Sequence, residues 1–147
     1  DGEKGVTTQM GQKIPFSPEE VASNKIDGYL IPETVYAAKG VTLALAGVED
    51  IDGTPAYVLE VTLPGEQQPS KRAYAVDSGL LLRTTRTMNT PQGAATQMMT
   101  YGDYRAVEGV QFPFLTKMAI GPQKMDMTLE TVEINADMDA STFEVEQ

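Results

Sequence analysis

The sequence predicts a mainly β fold, a curved antiparallel sheet or half-barrel with one or two short helices, and three observations predict it. From Val110 to Ile120 the even positions read Val110, Phe112, Phe114, Thr116, Met118 and Ile120, while the odd ones include Gln111, Pro113 and Lys117, an apolar period of two. Turn chemistry recurs between such runs, at Asp52-Gly53, Asp77-Ser78-Gly79 and Glu108-Gly109, where glycine supplies the positive φ of a tight hairpin. Helix signals are confined to the residues before Gly40.

Composition bounds the function. A chain of 147 residues is one domain by length and buries a real core. Hydrophobic content of 41% against 22% charged residues argues against disorder, and no apolar run approaches the ~18 residues of a membrane-spanning helix. The formal charge of −10 leaves no basic stripe for phosphates, so nucleic acid is not an expected partner. With neither cysteine nor histidine, the chain lacks disulfides, thiolate nucleophiles, the commonest general base and the commonest zinc ligands. No catalytic set, metal site or cofactor is expected. The opening Asp1-Gly2-Glu3-Lys4-Gly5 carries no initiator Met, signal pattern or lipid-attachment Cys and reads as the start of a processed or excised piece.

In chain order, Asp1 to Ile14 reads as hairpin remnants with turns at Asp1-Gly2, Lys4-Gly5 and Met10-Gly11. Ser17-Pro18-Glu19-Glu20 is a helix start, with Ser as N-cap, Pro at the first helical position and Glu20 closing a capping box. The helix is expected over about Pro18 to Asn24, stopped by Asp27-Gly28. A second short helix is expected from Pro32 to Ala38, ended by Lys39-Gly40. Strands follow: Val41 to Leu45 and Tyr57 to Leu63 around the turn at residues 49–55, Lys71 to Val76 and Leu80 to Met88 around residues 77–79, then Thr96 to Val107 and Val110 to Ile120. This last hairpin, with Tyr101, Tyr104, Phe112 and Phe114, is expected to anchor the core. Past Gly121-Pro122-Gln123, apolar residues sit on odd positions at Met125, Met127 and Leu129 and on even ones at Val132 and Ile134, a phase change that predicts a β-bulge near Glu130 to Thr131. Phe143 is expected to plug back into the core after a loop over Asn135 to Thr142.

Two short helices are a thin cover for such a sheet, so its apolar face is either a ligand cavity or the contact surface of absent structure. Met88, Met98, Met99, Met118, Met125 and Met127 cluster in the later strands, as core filling or as an adaptable apolar surface. Tyr57, Tyr74, Tyr101 and Tyr104 either bridge strands or place hydroxyls at a rim. Asp137, Asp139 and Ser141 alternate like the start of a calcium loop but lack its Gly and late Glu. Asp50 and Asp52, with Asp103, are conceivable carboxylate pairs, yet the first two lie in a turn where Asp serves the backbone.

Several strings together resemble a family: Asp52-Gly53 with Ala56-Tyr57-Val58, Tyr74 with Asp77 and Gly79-Leu80-Leu81, Tyr101-Gly102-Asp103-Tyr104 with Glu108-Gly109-Val110 and Phe112-Pro113-Phe114, Gly121-Pro122-Gln123, and Ile134-Asn135 with Phe143. They are similar to the lipoprotein-sorting-protein-like domains of Bacteroidetes, which are LolA/LolB-like, and to the C-terminal segment of insulinase-type zinc proteases of those bacteria. The resemblance implies a LolA-like half-barrel, here lacking an N-terminal helix and first strands, whose concave apolar face receives lipid acyl chains. It implies a periplasmic or cell-envelope location in a Gram-negative cell. The ligand-binding residues expected on the apolar face are Phe112, Phe114, Met118, Met125, Met127, Met98, Tyr57 and Leu59. Expected partners are a hydrophobic ligand or lipoprotein acyl chain, and an open sheet edge offers a route to self-association. The alternative reading is an accessory or interaction domain of an insulinase-type protease with no ligand of its own.

Overall fold

A computed structural model of the chain describes residues 5–9, 11–64, 66, 68–90 and 93–137. Asp139, Ser141 and Phe143 lie outside the described residues. The chain divides into two compact units, one of Asp1–Thr42, Thr62–Gln67 and Ala136–Gln147 and the other of Leu43–Val61 and Gln68–Asn135.

The first unit holds a two-stranded ribbon, β1 (Val6–Gln9) and β2 (Gln12–Pro15), paired antiparallel with Gln9 opposite Gln12. Helix α1 (Pro18–Asp27) begins as its sequence dictates. The Ser17 hydroxyl accepts from the Glu20 amide at 3.2 Å, and the Ser17 amide donates to the Glu20 carboxylate at 2.7 Å, so two otherwise unpaired amides are satisfied reciprocally. The helix runs three residues past Asn24 to its C-cap Gly28, whose amide closes the last turn on the Asn24 carbonyl at 2.9 Å while its own backbone stays right-handed at φ −77°. The segment from Pro32 forms a 3-10 turn (Pro32–Val35) that passes into α2 (Tyr36–Lys39), and Gly40 ends it at φ +71°.

The second unit is built on one antiparallel sheet. Its strands are β3 (Thr42–Ile51), β4 (Thr54–Thr62), β5 (Ser70–Ala75), β6 (Leu81–Thr90), β7 (Gly93–Val107), β8 (Val110–Ile120) and β9 (Gln123–Thr128), in the order of the chain from one edge to the other. The order is open, with β3 and β9 at its ends. The mainly β, antiparallel, unclosed architecture expected from the sequence is therefore what the strands form.

Tight turns make the meander. Asp52 and Gly53 have φ of +51° and +87°, and Glu108 and Gly109 have +48° and +87°, positive at both central positions as a two-residue hairpin of matching twist requires. The Asp50 carboxylate accepts from the Gly53 amide at 2.7 Å and holds the first of these turns. The bulge lies elsewhere than expected. β5 and β6 shift register between Ala73 and Tyr74, leaving Leu82 as the extra residue on β6. β9 ends at Thr128, and residues 129–137 form no strand: the last ladder-like bond runs from the Leu129 amide to the Phe114 carbonyl, so the two apolar phases belong to separate segments rather than to one bent strand.

The most buried side chains also lie away from the expected hairpin. Among the described residues, Ala56, Val58 and Val61 on β4, Ala73 and Ala75 on β5 and Ile51 at the end of β3 are the most enclosed of the sheet, and Ile51, Ala56, Val58 and Ala73 form a cluster against which Leu82 packs. On the cluster's face, Arg83 on β6 reaches over the two intervening strands to Glu49 on β3 at 3.0 Å. That ion pair is half exposed and contributes at most about 1 kcal/mol, so apolar packing of small residues dominates here. Of the hairpin residues, Phe114 is buried, while Tyr101, Tyr104 and Phe112 are half-buried.

Val61→Ala should lower the unfolding free energy by about 2 kcal/mol in a urea titration, because a fully enclosed side chain leaves a void the strands cannot close. Gly109→Ala, at a positive φ with open space around it, should cost about 1 kcal/mol by backbone strain alone.

Candidate functional site

In an antiparallel ladder, residues directly opposite share a face, so the pairings decide which side chains meet. Following them from β4 to β9 gives one row: Leu59 opposite Arg72, Arg72 opposite Thr84, Thr84 opposite Met99, Met99 opposite Met118, and Met118 opposite Met125. The adjoining rows on this face place Tyr57 opposite Tyr74, Arg86 opposite Gln97, Tyr101 opposite Thr116 with Met127 beyond it, and Arg105 opposite Phe112. Seven of the eight residues expected to line an apolar face, Tyr57, Leu59, Phe112, Phe114, Met118, Met125 and Met127, thus share one side of the sheet. Met98 does not. It stands opposite Thr85 and Ala119 on the other face, and Met99 takes the place in the methionine row.

The shared face is not uniform. Its apolar part is concentrated on β7, β8 and β9, where Met125 is 47% and Met127 38% exposed on an edge strand whose every residue is open to solvent. Tyr57 lies far across the sheet and is 45% exposed. Between these ends runs a polar strip. Arg72 and Gln97 are buried; the Arg86 guanidinium donates to the Gln97 side-chain oxygen at 2.5 Å, and the Gln97 amide nitrogen donates to the Met118 sulfur at 3.1 Å. The Tyr101 hydroxyl reaches the Met99 sulfur at 3.7 Å. The glutamine thereby orients one methionine and the tyrosine another, each by a weak bond to a polarizable sulfur.

Phe114 has a different role from its neighbours. Asp103 sits at φ +50° within β7, at the one point where β7 and β8 skip a pair, and its carboxylate holds the Arg105 guanidinium through two contacts of 2.6 and 3.1 Å. The guanidinium lies 4.5 Å from the centroid of the Phe114 ring. One ring face is covered by a cation, so Phe114 is a capped core residue, 7% exposed, rather than a wall open to a ligand. The two-contact hydrogen bond from Arg105 holds the Asp103 carboxyl below the ordinary carboxylate range and raises the guanidinium further.

The other carboxylate candidates serve turns or stand apart: Asp50 binds the Gly53 amide and Asp52 occupies the positive-φ position of the same turn. Among the described residues, no three acidic side chains come together in a way that could hold a metal ion. Tyr104 lies on the opposite face and donates its hydroxyl to the Leu81 carbonyl, bridging β7 to β6. The polar strip of Arg72, Arg86 and Gln97 escaped sequence reading, since each is a polar residue in phase with apolar neighbours only through pairings across four strands. Arg105 was within reach, because a two-residue turn at Glu108-Gly109 fixes Val107 opposite Val110 and therefore Arg105 opposite Phe112.

No protein-family model matches the chain, and no curated protein matches it. Among solved structures it is similar to a LolA superfamily protein from Nitrosomonas europaea, with a TM-score of 0.49 and 14% identity over 89% of this chain and 64% of that one. This chain therefore spans just under two thirds of that protein's length.

Because the folded-state pKa of Asp103 is depressed, the contribution of its pair is present above the ordinary carboxylate value of 3.8 and is lost as pH falls through the lower folded value. The Arg105 Nε–H resonance should accordingly hold its position from about pH 7 to about pH 4.5 and move only below that, and Asp103→Asn should abolish the transition.

Proposed function

We propose that the chain is a non-catalytic, carrier-like binding domain whose methionine face takes an apolar chain such as a lipid acyl group. One observation carries the reading: Met99, Met118, Met125 and Met127, with Phe112, lie on one face of a paired sheet, and its two outermost methionines are open to water. Methionine's unbranched, polarizable side chain suits a surface that must accommodate chains without fixed shape. The sequence resemblance to LolA/LolB-like carriers supports the same ligand class and, with it, a periplasmic or cell-envelope setting.

Magnitudes set the expected affinity. A fully buried methylene gains about 0.8 kcal/mol, so ten would gain ~8 kcal/mol; an open sheet covers one side only and realises roughly half, before ordering costs. Binding in the millimolar range or weaker follows for the sheet alone. A fluorescent fatty-acid probe should bind weakly but saturably, and Met125→Asp with Met127→Asp should weaken it at least tenfold with little change in melting temperature, since both side chains are exposed. Met98→Asp, on the opposite face, should leave binding unaltered. Equal losses from all three would reject the face as the site.

A second reading rests on the opposite edge. β3 exposes Leu43, Leu45 and Val48 and carries no charge from Thr42 to Val48, whereas β9 has Lys124 and Asp126. Charged residues are how edges resist pairing, so β3 is the edge suited to another strand, from a second copy or from a larger parent protein such as an insulinase-type protease. Sedimentation of the chain at rising concentration should show association that Leu45→Lys suppresses.

A further inference from the structure

Within the first unit, a cleft of about 490 Å³ opens at the C-terminal end of α1, lined by Ala22, Lys25, Ile26, Gly28, Tyr29, Lys39 and Pro64. Its walls divide by chemistry. Ala22, Ile26, Pro64 and the Tyr29 ring give an apolar floor and side, and the only charged side chains in the lining are the two lysines. Lys25 comes from the last turn of α1 and Lys39 from the last turn of α2, so two separate helices each contribute a lysine to one lining. In a chain of net charge −10, the lining of this cleft carries two lysines and no carboxylate.

The wall opposite α1 is tied in place. Ser23 donates to the Glu66 carboxylate at 3.2 Å, which fixes the segment carrying Pro64 against the helix and engages the acid closest in sequence to it. At the mouth, the Gly28 and Tyr29 amides are bonded to the Asn24 and Ile26 carbonyls, so these two acceptors of the helix end are already used. A lysine near a helix C-terminus is favoured by the dipole, which accounts for one such residue by itself. It does not account for both converging on an apolar cleft of ligand size.

We propose that this cleft binds an amphipathic anion: a short apolar chain or ring that lies on Ile26, Pro64 and Tyr29, with a carboxylate or phosphate head met by Lys25 and Lys39. The site is separate from the methionine face in residues and differs in meeting the charged head of its ligand, since among the described residues that face offers no paired cations at its open edge. A ligand of this kind is recognised by charge at one end and by burial along the rest, so a neutral molecule of the same body should bind poorly.

The test is a titration of the isotopically labelled chain followed by amide resonances, using octanoate, octyl phosphate and, as the uncharged comparison, 1-octanol. Saturable shifts at Lys25, Ile26, Tyr29 and Lys39 are expected with the anions, and a preference between the two heads identifies which group the lysines suit. Lys25→Gln and Lys39→Gln, both exposed and harmless to folding, should each weaken binding about fourfold, and the double variant at least tenfold, as expected for solvent-exposed ion pairs. The proposal is overturned if octanol binds as well as the anions, if the double variant binds as tightly as the parent, or if no saturable shift occurs at these residues. Shifts confined to β8 and β9 would likewise overturn it while supporting the methionine face, so the two sites stand or fall separately.

Discussion

Register is the constraint on which the second unit depends. Side chains in a strand alternate with a period of two, so a slip of one residue would carry every methionine of the face to the other side of the sheet. What prevents the slip is the pair of two-residue turns at Asp52-Gly53 and Glu108-Gly109, each with both residues at positive φ. Those turns admit one pairing of the flanking strands, and from Val107 opposite Val110 the whole β7–β8 ladder follows down to Gln97 opposite Ile120. The single skipped pair at Asp103 does not change the count, since Gly102 and Tyr104 keep the same register on either side of it.

The sheet spends its two faces differently. One encloses small residues around Ala56, Val58 and Ala73, where strand spacing and side-chain size allow tight packing without large groups. The other mixes buried polar groups with methionines. Buried Arg72 and Gln97 are costly unless bonded, and the Arg86 to Gln97 to Met118 chain shows how the bonding of one of them is met. A face arranged in this way has a specified middle and a permissive edge, which suits binding at the edge rather than at the centre.

Much of the fold was legible in the sequence because its signals are local. The capping box at Ser17 and Glu20, the stop at Gly40, the turn glycines and the period of two each depend on residues within a few positions of one another. The errors arose where locality ends. The phase change after Leu129 looks the same in sequence whether a strand bulges or stops, and only the partner strand distinguishes them. The bulge that does occur, at Leu82, leaves no mark in the periodicity around it. Met98 falls on the face opposite the other seven expected residues, and a run of two adjacent methionines offers no parity of its own; its partner Ala119 supplies it.

By itself the sequence determined the class, most strand boundaries to within a few residues, the helix start at Ser17 and the chemistry the chain can never perform with cysteine or histidine. It missed that β3 continues six residues past Leu45 to Ile51, since residues 49–55 carry turn chemistry but only Asp52 and Gly53 turn. The tertiary structure decided three further matters. It made β4 and β5 the most enclosed strands in place of the aromatic hairpin, covered Phe114 with Arg105, and brought Lys25 and Lys39 to one cleft. The physical reason is common to all three: burial, ring stacking and the meeting of charges depend on distance in space between residues far apart along the chain, and no periodicity within a strand or helix encodes that distance.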